Sequence, residues 1–199
     1  MTTVDLWIDP YSPWAYLAAR WMLEVEQVRD VTTRFHVMCL GVLNENREMT
    51  EERRQRMAST WQAARAGVAV EQKYGQAELR TFIMALGLRN HVNHEPYELA
   101  TIRAALSDAG CDPAIAEACT TSQFDEAVRA SHNEGMESVG TDVGTPVIRI
   151  DGQSIFGPVI SPAPKGEAAG QLFDGVRAVL AYPGFFELKR SRTAKPIFD

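Results

Sequence analysis

The chain predicts an α/β fold interrupted by an all-helical block, and three observations carry that expectation. An apolar strand pattern near the start runs straight into an amphipathic helix and a second strand. Helical periodicity then holds from about Thr50 to Val139, with no repeat and no low-complexity tract. Strand pattern returns at Pro146 and finishes with a hairpin and a last helix. The 199 residues suit one domain, or a small domain with a large insertion. At 45% hydrophobic content such a chain supports a core, since a domain of this size buries roughly 70% of its unfolded surface.

Taken in order, Val4–Ile8 carries the β-branched and aromatic residues of a strand, and Pro10 stops it. From Pro13, the positions Trp14, Leu17, Ala18, Trp21, Met22, Val25 and Val28 recur every three or four residues, the stripe of a helix lying on a sheet. Thr32–Leu40 reads as the second strand, with Phe35, Val37 and Cys39 on one face. A helix long enough for a crossover between them implies that the two strands pair in parallel.

In the helical block, Thr50 reads as an N-cap before the acidic turn Glu51-Glu52. Gly67 falls within that first helical pattern and marks a place where it can break. Further helices are expected over Gln76–Leu86, Glu95–Ala109, Pro113–Thr120 and Gln123–Ser138. Beyond the block, Pro146–Ile150 and Gln153–Phe156 flank Asp151-Gly152, a two-residue hairpin signal, and Gly166–Leu180 is the final helix. The division expected is 1–45 with 140–199 as one α/β unit and 46–139 as the inserted helical unit.

Composition narrows the function. A net charge of −6 and a pI near 5.3 argue against a nucleic-acid binder, which presents a basic face. Lys189-Arg190-Ser191-Arg192 is the one dense basic run and reads as a solvated tail. There is no secretory pattern at the N-terminus and no apolar run of the ~18 residues a membrane span requires, so a cytoplasmic location is expected. Cys39, Cys111 and Cys119 are odd in number and irregularly spaced, matching neither a disulfide framework nor a zinc site. His91 and His94 sit among Asn90, Asn93 and Pro96, which suggests a loop with no third ligand, and no metal is expected.

The most informative pair is Ser12-Pro13, at the junction of first strand and first helix. Serine is a preferred N-cap and proline is favoured at the first helical position, which explains Ser12 structurally for ~1 kcal/mol of helix stability. The same geometry has a functional use. Free N–H groups and the positive dipole end make an anion site, and a hydroxyl there can donate to a thiolate. Thr145-Pro146 stands immediately before the third strand.

Removing the helical block leaves strand-helix-strand, then strand-strand-helix, the thioredoxin order. The chain resembles the DsbA-like branch of that superfamily. It is most similar to the actinobacterial mycothiol-dependent nitroreductase group, whose members carry Cys-Pro-Trp-Cys at the helix start. The likeness runs through Trp7-Ile8-Asp9-Pro10, Pro13-Trp14, Phe35-His36-Val37-Met38 and Leu43-Asn44-Glu45-Asn46-Arg47. It continues in Ser131-His132, Asp142-Val143-Gly144-Thr145-Pro146, Phe156-Gly157-Pro158 and Phe185-Phe186-Glu187-Leu188-Lys189-Arg190. The fold implied is thioredoxin-like with an inserted all-helical subdomain.

The resemblance puts Ser12 at the nucleophilic cysteine and Ala15 at the resolving one. It implies a cis Thr145–Pro146 peptide, a thiol groove lined by Thr145 and Pro146, and a wall formed by Pro13 and Trp14. A thiolate is nucleophile and redox centre at once; an unassisted serine hydroxyl is neither, so disulfide exchange at position 12 is excluded. Cys39 is expected to lie far from this turn. Kappa-class glutathione transferases and 2-hydroxychromene-2-carboxylate isomerases share the architecture and carry a similar Ser-Pro start, where the serine hydroxyl activates a bound thiol. The resemblance therefore implies mycothiol or glutathione as cofactor, an electrophilic small molecule as second partner, and Ser12 as activator. His132 is expected near the groove, as a base or a structural hydrogen-bonding group. Asn44 is expected to touch the cofactor or to cap a turn.

Three functions stay open at this point: a thiol-dependent transferase, isomerase or reductase; a binding or regulatory protein without turnover; and a Cys-to-Ser/Ala variant of a mycothiol-dependent oxidoreductase. A homodimer is the assembly left open.

Overall fold

The computed structural model describes residues 1–199. Strand β1 (Thr2–Ile8) leads into helix α1 (Pro13–Val28), which returns the chain to β2 (Val31–Val37), parallel to β1 with Leu6 opposite Phe35 and Ile8 opposite Val37. A short helix α2 (Leu40–Asn44) opens the helical run: α3 (Glu51–Tyr74), α4 (Gln76–Gly87), a π-helical turn (Leu88–Val92), α5 (Leu99–Asp108), α6 (Ile115–Ala118) and α7 (Asp125–Met136). Strand β3 (Val147–Ile150) then adds antiparallel to β1 and β4 (Gln153–Phe156) antiparallel to β3, giving the order β2-β1-β3-β4, and α8 (Gly166–Leu180) closes the fold. This is the thioredoxin-like α/β fold expected from the sequence.

Alternation along β1 decides where the core sits. Val4, Leu6 and Ile8 face one side, where Leu17, Trp21, Met22 and Val25 of α1 and Phe173 of α8 bury against them. Trp7 faces the other side and packs with Met38, Leu43, Met136 and Val147. Each such side chain contributes roughly 1.5–3 kcal/mol on burial. The two helices on the first face are also tied directly, the Trp21 indole N–H donating to the Ala169 carbonyl at 3.0 Å.

Several expectations shift by a few residues. The second strand ends at Val37, because Cys39 is already the N-cap of α2. α3 runs unbroken through Gly67, whose open face lies against Val37 of β2. α5, α6 and α7 are each shorter than their periodicity implies. The hairpin is as read: Asp151 and Gly152 take φ of 51° and 81°, the pair of left-handed residues that a tight two-residue turn requires. No helix is long and apolar enough to cross a membrane.

Candidate functional site

Ser12 is the N-cap of α1. Its backbone is extended (φ −84°, ψ 118°), its Oγ accepts the Ala15 N–H at 3.3 Å, and its carbonyl accepts the Tyr16 N–H at 3.0 Å. Pro13 occupies the first helical position, where no N–H is needed. Ser12 is 5% exposed, Ala15 is fully buried, and Trp14 is half-buried. The Arg192 guanidinium stands 5.3 Å from the Trp14 ring centre. The basic run is thus not simply a solvated tail, because one of its cations lies over the side chain that flanks Ser12.

Asp9 organises the turn, and sequence reasoning missed it. Its Oδ1 accepts the Tyr11 N–H at 2.8 Å, its Oδ2 accepts the Leu40 N–H at 2.6 Å, and its own N–H donates to Thr145 Oγ1 at 3.1 Å. One residue thereby holds three separate segments together. Asp9 is fully buried, and burial pushes its carboxyl up to about 7, against the two backbone N–H groups that favour the charged form. The only hint in the sequence was a carboxylate directly after an apolar strand. The Thr145–Pro146 peptide is cis, as are Gly157–Pro158 and Ser161–Pro162.

His132 and Asn44 lie around α2. His132 Nδ1 accepts the Cys39 N–H at 3.4 Å, and burial lowers the imidazole to about 4, so it stays neutral at pH 7. Asn44 is buried, with its amide donating to the Leu40 carbonyl at 2.8 Å and its oxygen accepting from Arg47 at 3.5 Å. A cavity of about 480 Å³ opens here, lined among others by Asn46, Arg47, Arg129, His132, Asn133 and Thr141. Arg129 pairs with Glu45 through both of its terminal nitrogens, and Arg47 donates to the Thr141 carbonyl. This polar wall connects to the Ser12 turn through the Asp9–Leu40 bond.

Two expectations need correction. Cys39 is not remote from the turn: it adjoins Leu40, whose N–H is held by Asp9. Its thiol is nevertheless fully buried, and burial pushes it up to about 12, which disfavours the thiolate. His91 is not in a loop but in the π-helical turn, buried, with Nδ1 3.2 Å from the Tyr97 hydroxyl and its ring 5.4 Å from Tyr16 of α1. Gly87 allows this approach, since a Cβ there would stand 2.2 Å from the Tyr16 ring. The fold therefore brings Ser12, Pro13 and Trp14 together through Asp9 with Thr145 and Pro146. It sets His132 and Asn44 beside a neighbouring polar cavity.

Comparison with known proteins agrees with this architecture. The chain is 29% identical over 197 residues to the uncharacterized protein Rv2286c of Mycobacterium tuberculosis (strain ATCC 25618 / H37Rv), covering 97% of this chain and 84% of that protein. Its fold matches a probable DsbA oxidoreductase, SCO1869 of Streptomyces coelicolor, at 15% identity and a TM-score of 0.62, over 100% of this chain and 94% of the other. It matches a 2-hydroxychromene-2-carboxylate isomerase at 15% identity and 0.62, over 88% and 93%. It also matches the cytosolic disulfide reductase DsbM of Pseudomonas aeruginosa at 18% identity and 0.55, over 88% and 99%. Residues 11–190 match the family model described as Rv2466c-like, mycothiol-dependent nitroreductase Rv2466c, and the chain belongs to that family.

Proposed function

We propose that the chain binds a low-molecular-weight thiol, mycothiol ahead of glutathione, at the Ser12–Trp14 helix start and Thr145–Pro146, and directs it at an electrophilic small molecule. Family membership supports a thiol-dependent role of the oxidoreductase type. The fold is shared, at 15% identity and a TM-score of 0.57, with the cytosolic disulfide reductase DsbM of Pseudomonas aeruginosa with GSH. The family and its mycothiol dependence favour a cytoplasmic setting. In this reading residues 1–45 and 140–199 hold the sulfur end of the thiol, and the helical unit 46–139 adds His132 and the cavity beside it.

The observation that carries the reading is the Ser12 hydroxyl, which caps a sixteen-residue helix and stands where a redox relative needs sulfur. A bound thiol supplies the nucleophilic or reducing sulfur that the turn itself lacks. The part played by Ser12 is to donate its O–H to that sulfur. The one N–H left free in the first turn, that of Trp14, and the dipole of α1 lower the cost of negative charge there. Trp14 forms a wall, and Thr145 is positioned by Asp9 to pair its backbone with an extended ligand. Asn44 and His132 hold α2 in place, and the cavity beside them presents the Asn46 and Asn133 amides, the Thr141 hydroxyl and the Arg47 and Arg129 guanidinium groups to a hydroxyl-rich group.

Calorimetric titration with mycothiol and with glutathione tests this. Mycothiol binds, and Ser12→Ala weakens it about tenfold or more, as expected for a lost hydrogen bond to a charged group at ~1.5–3 kcal/mol. No heat with either thiol, or an affinity indifferent to Ser12→Ala, overturns the proposal. The combination of serine and alanine at positions 12 and 15 also favours a second reading, a thiol-binding protein without turnover. Binding of mycothiol with no consumption of 1-chloro-2,4-dinitrobenzene or of a nitroaromatic would select it. Sequencing the source gene separates both from a Cys-to-Ser/Ala variant.

A further inference from the structure

A second cluster adjoins the Ser12 turn and is not used by the thiol reading. Tyr11 precedes Ser12 and meets the edge of Tyr97, with ring centres 4.9 Å apart at 86°. Tyr97 reaches His91 Nδ1 with its hydroxyl, and His91 packs on Tyr16 in the first turns of α1. Two polar atoms in this group, the Tyr11 hydroxyl and His91 Nε2, are buried with no partner, although Tyr11 and His91 are each more than nine-tenths covered. Buried polar atoms are almost always satisfied, so two orphans in one aromatic cluster mark it as a part of the fold that its own residues leave incomplete.

The cover over this cluster comes from the far end of the chain. Phe198 lies flat on His91, with ring centres 5.6 Å apart and planes within 13°, and 5.9 Å from Tyr16. Residues 183–199 contain no helix or strand, and their Phe186 and Leu188 are 86% and 82% exposed. The segment is held by few bonds. The Ser161 hydroxyl links to Lys195 and Ile197, Arg20 donates to the Asp199 carbonyl at 2.6 Å, and Lys165 lies 3.8 Å from the Asp199 carboxylate. The residue after Phe198, Asp199, is thus met by two cations, Arg20 and Lys165, and Arg20 also lies 6.0 Å from the Tyr16 ring centre, while the same segment carries Arg192 over Trp14.

We propose that the Tyr11–Tyr97–His91–Tyr16 cluster binds a planar aromatic ligand carrying an anionic group, and that Phe198 is an internal occupant which this ligand displaces. The ring replaces Phe198 on His91, and the anion takes the place of Asp199 at Arg20 and Lys165. Withdrawal of the segment also uncovers Trp14. The assignment names the class of second partner for the proposed thiol reaction and rests on that reading for its role only, since the ring binds without a thiol.

The test is a titration with 2-naphthoate in the absence of thiol, with cyclohexanecarboxylate and 2-naphthalenemethanol as controls. If Phe198 covers the site about nine-tenths of the time, Phe198→Ala binds 2-naphthoate about tenfold more tightly than the parent. Ser161→Ala, which loosens the segment without touching the cluster, gives a smaller gain of the same sign and serves if Phe198→Ala fails to fold. His91→Leu, added to either, keeps the volume but removes the ring plane and Nε2, and abolishes the gain. Cyclohexanecarboxylate does not bind, and the alcohol binds more weakly than the acid. Equal affinity in parent and loosened variants, binding that survives His91→Leu, or equal binding of the cyclohexane acid overturns the proposal. Ser12→Ala leaves the naphthoate affinity unchanged, so failure of the thiol reading and failure of this one are seen separately.

Discussion

Asp9 and Thr145 stand 136 residues apart in sequence and are joined by one bond, the Asp9 N–H donating to Thr145 Oγ1 at 3.1 Å. Both residues are buried, so the donor has no water to fall back on. Thr145→Val keeps the shape and removes the acceptor, and is expected to cost about 1–3 kcal/mol, the penalty for an unsatisfied buried N–H. Thr145→Ser retains the hydroxyl and costs much less. Urea unfolding of the three proteins measures the difference, and equal midpoints for Thr145→Val and the parent would remove Asp9 from its central place.

Asp9 also predicts how stability varies with pH. Its carboxyl lies at about 7 in the folded chain against an ordinary 3.8, so between those values the folded state holds a proton that the unfolded state has lost. Its contribution is therefore full below about pH 4 and declines as pH rises to about 7, a tenfold change in proton affinity being worth about 1.4 kcal/mol. His132 and His91, lowered by burial to about 4, work in the opposite sense: their contribution is full above 6.5 and is lost as pH falls through 4. The Asp9 term is isolated by Asp9→Asn. Relative to that variant, the parent loses stability between pH 5 and pH 8; a constant difference across that range contradicts the assignment.

The cap and the missing sulfur separate at position 12. Ser12→Ala removes the acceptor for the Ala15 N–H and is expected to cost ~1 kcal/mol, whereas Ser12→Asp retains a capping oxygen and is close to neutral in stability. Ser12→Cys with Ala15→Cys is expected to introduce thiol–disulfide exchange, because a thiol at this helix start is biased towards its thiolate. Insulin reduction in the presence of a dithiol reports it. Absence of exchange in a folded double variant would show that the surrounding turn no longer supports redox chemistry.

Gly87 sets the distance between α4 and α1. With a Cβ placed 2.2 Å from the Tyr16 ring, Gly87→Ala forces the ring or the helix to move and is expected to cost about 1–3 kcal/mol, as over-packing does. Tyr16→Leu on the same background recovers part of that loss by freeing the space. Thermal melting of the single and double variants measures the recovery, and additive losses would show that the two positions do not press on each other.

The elements legible in the sequence are those whose causes are local. The Ser12-Pro13 start of α1, the Asp151-Gly152 hairpin and the run Gly166–Leu180 each follow from a cap, a turn pair or a stripe of apolar residues. What escaped were features that depend on distant partners. α2 is only five residues long, too short for periodicity to register. Asp9 looks like any polar residue after a strand until Leu40 and Thr145 are brought to it. The seat of Phe198 on His91 joins residues more than a hundred positions apart, which no local pattern records.

The wide turn at Leu88–Val92 has a geometric consequence of its own. A π-helical turn closes its hydrogen bond over five residues instead of four, so it accommodates one residue more than the helix it extends. Without that residue the turn returns to ordinary winding, and the His91 ring no longer meets Tyr16 at its present angle. The orientation of one imidazole thus depends on a supernumerary peptide unit as well as on the neighbours the ring touches.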